Sequence, residues 1–217
     1  MDSGLREQLR SSLVTVHQSN DSTGMGVYLG KRLFITAAHC LPESPDVTNP
    51  FGDVAPITLS RFGSSQRFRA VLAGIDFCSD FAVLADETSH GVRLEGKHRR
   101  EFDSQIAMLL RAAIDNELDR EFVSAEYSLM THEGHWSSGQ FVPPLQDDRF
   151  IQFTPDENDV TGFVRPGTSG SPLFDNHGRV LGLVSTSSET ADRESHGMAV
   201  RLATAIPQWL LRQLQYE

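Results

Sequence analysis

The amino-acid sequence predicts an all-β fold with one helix near the middle of the chain and a second helix at its C-terminal end. Short apolar segments at residues 33–36, 81–84 and 150–153 are bounded by turns rich in Gly, Ser, Pro and Asp, as expected of strands. Residues 102–114 differ, because their apolar side chains recur at helical spacing. A chain of 217 residues can form one domain of this class or two smaller ones.

The N-terminal part of the chain contains six predicted strands behind a short amphipathic segment at residues 5–13. The first strand alternates between apolar and polar side chains. A polar turn at residues 19–23 then leads into a hairpin whose second strand ends close to His39. The six strands are predicted at residues 13–16, 26–29, 33–36, 56–60, 68–73 and 81–84.

The composition changes between residues 86 and 120. A basic cluster at residues 96–100 precedes the helical pattern, which predicts a helix of about a dozen residues or more. Two interpretations of this helix remain open: it packs over the junction between the N-terminal and C-terminal parts of the fold, or it is a docking surface for a regulatory protein. The basic cluster is typical of a solvated face rather than of a phosphate site. The apolar positions of the pattern are Phe102, Ile106, Leu109, Leu110, Ala113 and Ile114.

The C-terminal part of the chain returns to strands. They are predicted within residues 122–130 and at 150–153, 179–186 and 197–202, followed by a helix near residues 204–214. Residues 132–136 read His-Glu-Gly-His-Trp, which lacks the helical H-E-x-x-H spacing of a zinc site. We therefore predict a surface turn there and no metal.

A serine between two glycines is the first candidate for chemistry. In Gly167-Thr168-Ser169-Gly170-Ser171-Pro172, a tight turn leads into an apolar strand and places the Ser169 hydroxyl at the bend. The N–H groups of Gly167 and Ser169 can point at one position, where the oxyanion of a tetrahedral intermediate would sit. Without further support, an ordinary Gly-Ser turn is the simpler interpretation.

Two other motifs supply the side chains that a nucleophilic serine needs. His39 ends the segment Leu-Phe-Ile-Thr-Ala-Ala-His, and Asp80 begins the apolar strand Phe-Ala-Val-Leu. Histidine is the ordinary side chain that can accept a proton near neutral pH, and a buried carboxylate can orient it. Asp76 is the competing acid, but it lacks the apolar continuation that follows Asp80.

The order His39, Asp80, Ser169, with the motifs T-A-A-H-C, D-F-A-V-L and G-T-S-G-S-P, resembles the trypsin/chymotrypsin-like serine proteases. In motif style it is most similar to the bacterial HtrA-like and glutamyl-endopeptidase-like branches. The resemblance implies two six-stranded Greek-key β-barrels, with residues 1–85 as the first barrel, 86–120 as a helical connector, and 121–217 as the second barrel plus C-terminal helix. It also implies a serine endopeptidase that forms an acyl-enzyme, with Gly167 and Ser169 as its oxyanion hole.

The resemblance further implies where the substrate pocket lies. None of the implied pocket residues carries the carboxylate that trypsin places under Arg or Lys, which favours apolar side chains before the cut. Val184 stands where glutamate-specific relatives place a histidine, although His196 keeps a glutamate preference open. The implied floor is Phe163 and Val164, and the implied walls are Ser185, Thr186, Ser187, Gly197 and Met198.

The two cysteines lie next to the candidate residues His39 and Asp80 in sequence. Secreted trypsins pair the cysteine after the histidine with an upstream partner, and no cysteine precedes Cys40 here. This favours a reducing compartment. Cys40 and Cys78 are interpreted as small buried side chains, and a disulfide that strains the site is the alternative.

Composition limits the other classes of function. The net charge is −10, which favours a soluble acidic protein over a membrane protein or a general nucleic-acid binder. The first residues lack the pattern of a signal peptide, so we predict a cytoplasmic protein. The glycines of residues 24–30 lack the following helix of a dinucleotide site, and no cofactor is expected. The expected partners are a protein or peptide substrate and a regulatory protein.

Thr168 marks a departure from trypsin-like zymogens. Those proteins become active when a newly cut N-terminus pairs with an Asp directly before the serine, and a threonine cannot form that ion pair. We therefore expect any switch to act on loop order, through a partner bound to the helix at 102–114 or to the loop at 187–195, which would order the turn at residues 166–167. A catalytically inactive, protease-like binding module is the alternative function, although inactive relatives typically lack part of the triad.

Overall fold

The computed structural model describes residues 1–18, 22–41, 56–77, 80–88, 91–114, 126–142, 150–155, 167–187 and 198–202. Within these ranges the protein is mostly β, with two α-helices outside the strands. None of the helices in these ranges has the length and apolar character needed to cross a membrane. The predicted C-terminal helix at 204–214 lies outside the described residues.

The first six strands form a closed antiparallel barrel in the order β1-β2-β3-β6-β5-β4. Its interior is filled by apolar side chains such as Phe34, Phe68 and Leu59, which are fully buried or nearly so. All six predicted strands are confirmed. Their bounds are β1 Leu13–His17, β2 Thr23–Gly30, β3 Leu33–Ala37, β4 Ile57–Arg61, β5 Arg67–Asp76 and β6 Phe81–Ala85.

The amphipathic segment at the N-terminus is a helix, α1, which spans Ser3–Arg10. Its N-cap is Asp2, whose side chain accepts a hydrogen bond from the Leu5 N–H at 2.7 Å. Leu9 is buried on the inner face of this helix and joins a core cluster that also contains Phe174 from the second half of the chain. The helix thus contributes to the contact between the two halves.

The helix of the connector is confirmed, but its predicted bounds were wrong. Helix α2 spans Gly96–Ile106, so it includes the basic cluster and ends before the last apolar positions of the pattern. Its Phe102 is fully buried, with its ring centroid 5.9 Å from those of Phe34 and Phe68. Helix α2 is therefore a packing helix, but the contacts of Phe102 place it on the first barrel and not over the junction of the two parts.

The helix ends because the first barrel binds the following backbone. The Leu110 N–H donates to the Ser11 carbonyl at 3.1 Å, and the Ala112 N–H donates to the Tyr28 carbonyl at 3.0 Å. Ala113–Ile114 then forms a short strand, β7. Of the positions of the apolar repeat past the helix, Leu109 is buried and Ile114 is half-buried, whereas Leu110 and Ala113 are exposed, so the repeat there does not mark one buried helical face.

The second sheet contains six more strands in a ring. The pairing order is β11-β8-β9-β10-β13-β12, β11 also pairs with β12, and β7 lies parallel to the start of β12. The fold is therefore the predicted chymotrypsin-like double barrel. The strand β9 was not predicted, because its Ser, Gly and Gln residues resemble a loop. The bounds are β8 Glu126–Met130, β9 Trp136–Val142, β10 Phe150–Pro155, β11 Pro172–Phe174, β12 Arg179–Ser187 and β13 Met198–Leu202.

Ion pairs hold part of the basic cluster. Arg99 pairs with the nearly buried carboxylate of Asp86, to which Arg32 Nε also donates at 2.7 Å. Lys97 lies 3.5 Å from Glu101 one helical turn later. These contacts are those of a charged outer helix face.

Candidate active site

His39 lies directly after β3, in a short 3₁₀ helix that spans Ala38–Cys40. Strand β3 pairs with β6, and the register places Ala37 opposite Phe81, the residue after Asp80. The Ala38 N–H also donates to the Asp80 carbonyl oxygen at 3.0 Å. Pairing within the barrel therefore brings together two residues that are 41 positions apart.

The Asp80 carboxylate accepts three hydrogen bonds. Oδ1 accepts from the backbone N–H of His39 at 3.0 Å, and Oδ2 accepts from His39 Nδ1 at 2.9 Å. The Ser185 hydroxyl donates to the same Oδ2 at 2.5 Å. Asp80 has a positive φ of 53°, a conformation that Asp tolerates better than most residues and that is common at functional sites.

These contacts change the pKa values of both side chains. The hydrogen bond to Asp80, followed by the contact with Cys40, raises the pKa of His39 to about 10, although burial acts in the opposite direction. Burial alone would raise the pKa of Asp80, but the hydrogen bonds from His39 and Ser185 hold it below its ordinary value. Asp80 is thus a carboxylate at neutral pH, and it fixes the Nδ1–H bond of the imidazole.

Ser169 lies in the predicted tight turn. The turn is closed by a hydrogen bond from the Ser171 N–H to the Thr168 carbonyl at 2.9 Å, and the flanking Gly167 and Gly170 both have positive φ angles. The Ser169 carbonyl accepts from the Met25 N–H at 2.7 Å. The turn is therefore attached to β2 of the first barrel and continues directly into the buried strand β11.

Consecutive residues of β12 connect this turn to Asp80. The Val184 carbonyl accepts from the Gly170 N–H at 2.7 Å, and the next residue, Ser185, donates to Asp80. Gly24 gives a second link, because a Cβ placed there would lie 2.5 Å from Cys40 Sγ and 3.3 Å from the Ser169 carbonyl oxygen. The structure thus brings His39, Asp80 and Ser169 to the junction of the two barrels.

The imidazole and the serine hydroxyl are not hydrogen-bonded to each other within the described residues. His39 Nε2 instead lies 3.8 Å from Cys40 Sγ, and the His39 side chain is 43% exposed. In proteins without bound substrate, such catalytic contacts are often long and tighten only in the complex.

Comparison with known proteins identifies the family. The sequence profile of the trypsin-like peptidase domain matches residues 24–183, which is more than half of the chain. The chain belongs to this family. A search of curated proteins found no significant match.

The trypsin-like peptidase also resembles a solved structure. This is Rv3671c from M. tuberculosis H37Rv, crystallised as a serine-to-alanine mutant in an inactive form. The likeness covers 100% of the present chain and 93% of the other, with a TM-score of 0.61 and 15% identity. At this identity the likeness describes the fold alone, and it agrees with the double barrel described above.

The described part of the implied pocket lies on the second barrel of the peptidase. Ser185, Thr186 and Ser187 form the end of β12, and Met198 begins β13 opposite Ser187. Phe163, Val164 and Gly197 lie outside the described residues. The contact from Ser185 to Asp80 was not predicted from the sequence, where the only signal is a serine directly after the apolar run at residues 180–184.

Cys40 is a free and buried thiol next to His39. Cys78, its candidate disulfide partner, lies outside the described residues. The segment from His132 to His135 forms the predicted turn, closed by a hydrogen bond from the Thr131 N–H to the His135 carbonyl at 2.8 Å. In the described ranges no group of three or more His, Cys, Asp and Glu side chains could hold a metal ion.

Replacing Gly170 with alanine should strongly destabilise the peptidase. An added Cβ would lie 2.0 Å from the Met25 carbonyl oxygen and 2.7 Å from Thr36 Oγ1, and the φ angle of 81° disfavours a side chain. Backbone strain and overpacking together should lower the free energy of unfolding by roughly 2–5 kcal/mol, measured by urea denaturation.

Gly91→Ala provides the matched control for this measurement. Gly91 has nearly the same φ, 80°, but nothing lies within 4 Å of its added Cβ. Only the strain remains, so the expected loss is about 1–2 kcal/mol. Equal losses in the two variants would contradict the close contact between the Ser169 turn and β2.

Proposed function

We propose that the protein hydrolyses peptide bonds through a catalytic triad of Ser169, His39 and Asp80 and an acyl-enzyme intermediate. One observation carries this proposal: the Asp80 carboxylate accepts both the backbone N–H and the Nδ1–H of His39, at 3.0 and 2.9 Å. When His39 is neutral, this contact fixes the tautomer in which Nε2 can accept a proton.

The reaction then follows from the three side chains. Ser169 Oγ attacks the carbonyl carbon of the peptide bond while its proton passes to His39 Nε2, and the N–H groups of Gly167 and Ser169 donate to the oxyanion. The imidazolium gives the proton to the leaving amine as the C–N bond breaks. A water molecule, deprotonated by His39, then attacks the acyl ester and releases the acid and the Ser169 hydroxyl.

The substrate is proposed to be a protein or peptide with an apolar residue before the cut. The pocket assigned to that residue contains Ser, Thr, Gly, Phe, Val and Met, and none of them neutralises a charged substrate side chain. Val184 is fully buried within β12, which agrees with a pocket that lacks a histidine at that position. The proposed members are Phe163, Val164, Ser185, Thr186, Ser187, Gly197 and Met198.

The cellular setting is proposed from the chemistry of the chain. A free thiol at Cys40 and a net charge of −10 suit a cytoplasmic protein with no general affinity for nucleic acid. A protease in the cytoplasm requires regulation that prevents indiscriminate cleavage of other proteins. We propose that a protein partner regulates the proteolytic activity by binding the connector or the loop at 187–195.

A serine-directed fluorophosphonate probe tests the proposal directly. The probe should label Ser169 in the purified protein, and mass spectrometry of the labelled peptide identifies the residue. Cleavage of a proteome-derived peptide library by the same preparation then gives the preferred residue before the cut. Absence of both labelling and cleavage, with lysate added to supply a partner, would overturn the proposal.

The activity should depend on pH through His39. Because Asp80 raises the pKa of this imidazole, and because only the neutral form accepts the serine proton, kcat/KM should rise with pH through a midpoint well above the ordinary histidine value of 6.5. An NMR titration of His39 in the Ser169→Ala variant measures the same pKa without cleavage. Asp80→Asn should lower it, and a midpoint at or below 6.5 in the unsubstituted protein would contradict the prediction.

A further inference from the structure

The turn between β8 and β9 contacts the nucleophile turn through His132. The His132 backbone N–H lies 3.3 Å from Thr168 Oγ1, and its ring Nδ1 lies 3.4 Å from the same oxygen. The ring also covers Gly167, because a Cβ on that residue would lie 3.2 Å from His132 Cγ. One side chain thus touches both residues that precede Ser169.

The Thr168 hydroxyl can satisfy both contacts with His132. Thr168 is fully buried, so its hydroxyl needs partners within the protein. A hydroxyl has one proton and two lone pairs, and it can therefore accept from the His132 N–H while it donates to Nδ1. This arrangement requires the imidazole tautomer with its proton on Nε2.

Hydrogen bonds also stabilise the turn that carries His132. The Thr131 N–H donates to the His135 carbonyl at 2.8 Å, and the His135 N–H lies 3.2 Å from Thr131 Oγ1. The residue before this turn, Met130, accepts a hydrogen bond from the Ser171 hydroxyl at 2.7 Å. The β8–β9 turn therefore holds the nucleophile turn on both sides of Ser169, at residues 168 and 171.

We propose that His132 and Thr168 are positioning residues that hold the Gly167 N–H toward the oxyanion. This inference rests on the proposed function, since it names what orders the oxyanion hole of that same site. In trypsin-like zymogens, an ion pair at the residue directly before the serine orders the oxyanion hole on activation. Here we assign the same ordering to a hydrogen bond at that position. Neither residue touches the reacting atoms, and both act through the backbone of Gly167.

Kinetics of four variants test this role. His132→Ala and Thr168→Val should lower kcat by roughly 10–100-fold on a peptide substrate while KM changes by less than about threefold, because the oxyanion forms only in the transition state. Thr168→Ser keeps the hydroxyl and should restore most of the activity. His135→Ala alters an exposed histidine of the same turn and should match the unsubstituted protein. Unchanged kcat in both His132→Ala and Thr168→Val would overturn the inference.

Amide hydrogen exchange separates this inference from the proposed function. The N–H groups of Gly170 and Ser171 are hydrogen-bonded in the turn, and His132→Ala should speed their exchange up to about tenfold. Faster exchange in a protein that cleaves nothing would show that His132 stabilises the turn, but it would reject the triad and with it the positioning of an oxyanion hole. Exchange and kcat that both match the unsubstituted, active protein would reject the positioning role and leave the triad in place.

Discussion

Replacing Ser169 with alanine should abolish peptide-bond cleavage and leave the protein folded. The substitution removes one hydroxyl and leaves the backbone contacts of the turn in place, because the Ser169 carbonyl accepts from Met25 and the Gly170 N–H donates to Val184. With no nucleophile, kcat should fall on the order of 10⁵-fold or more. The measurement is turnover of a peptide substrate, with circular dichroism as the test of folding.

Two comparisons make this experiment specific. His39→Ala should lose about as much activity as Ser169→Ala, and the double variant should lose little more, because the members of a triad act as a unit. Ser65→Ala changes an exposed serine in the turn between β4 and β5 and should keep full activity. Cleavage by Ser169→Ala at nearly the original rate would remove the assignment of the nucleophile.

The strands of the first barrel could be predicted from the sequence because their signals are local, whereas their closure into a barrel was implied by the family resemblance. Its strands are short apolar runs between polar turns, and each of them lies where its run indicated. The pairing of His39 with Asp80 was also predictable, since each residue adjoins a strand that the fold places next to the other. Between Asp76 and Asp80, the apolar strand that follows Asp80 was the deciding feature.

The end of helix α2 could not be predicted in this way. An apolar repeat records which residues face a core, and it does not record whether the backbone that carries them is helical. Leu109 belongs to the repeat and is buried, but the next N–H groups, those of Leu110 and Ala112, donate to Ser11 and Tyr28, more than eighty residues earlier in the chain. Only tertiary contacts fix that boundary.

The contacts that support the site could not be predicted from the sequence either. Ser185 stood among the residues of the implied pocket, yet its hydroxyl donates to a carboxylate 105 positions away. His132 stood in a segment considered only for metal binding, and its contact with Thr168 spans 36 positions. Serine and histidine occur in many surface turns, so neither residue carries a signal of its partner.

Asp80→Asn should lower kcat by about 10⁴-fold without unfolding the protein. The side chain keeps its size, but an amide offers one accepting oxygen where the carboxylate offers two. In the native site, Oδ1 accepts the His39 backbone N–H, and Oδ2 accepts both His39 Nδ1–H and the Ser185 hydroxyl. An asparagine oxygen can serve only one of these positions, so its NH₂ group must face a donor or force that donor to turn.

The tautomer of His39 decides the size of the effect. If the amide NH₂ faces Nδ1, the neutral imidazole must accept there and carry its proton on Nε2, where it can no longer take the serine proton. The stabilisation of the imidazolium is lost as well, so the pKa of His39 should fall together with kcat. A kcat that falls with an unchanged His39 pKa would contradict this explanation.

Two variants test whether the loss of kcat comes from the charge of Asp80 and not from a neighbouring side chain. Asp76→Asn makes the same change at the competing acid, in the strand β5 that pairs with β6, and should leave kcat unchanged. Ser185→Ala removes one donor from Oδ2 but leaves the His39 tautomer correct, so it should cost only about tenfold to a hundredfold. A loss as large for Asp76→Asn as for Asp80→Asn would mean that the wrong carboxylate has been assigned. A loss of about 10⁴-fold for Ser185→Ala would mean that the hydroxyl, and not the charge, orients the histidine.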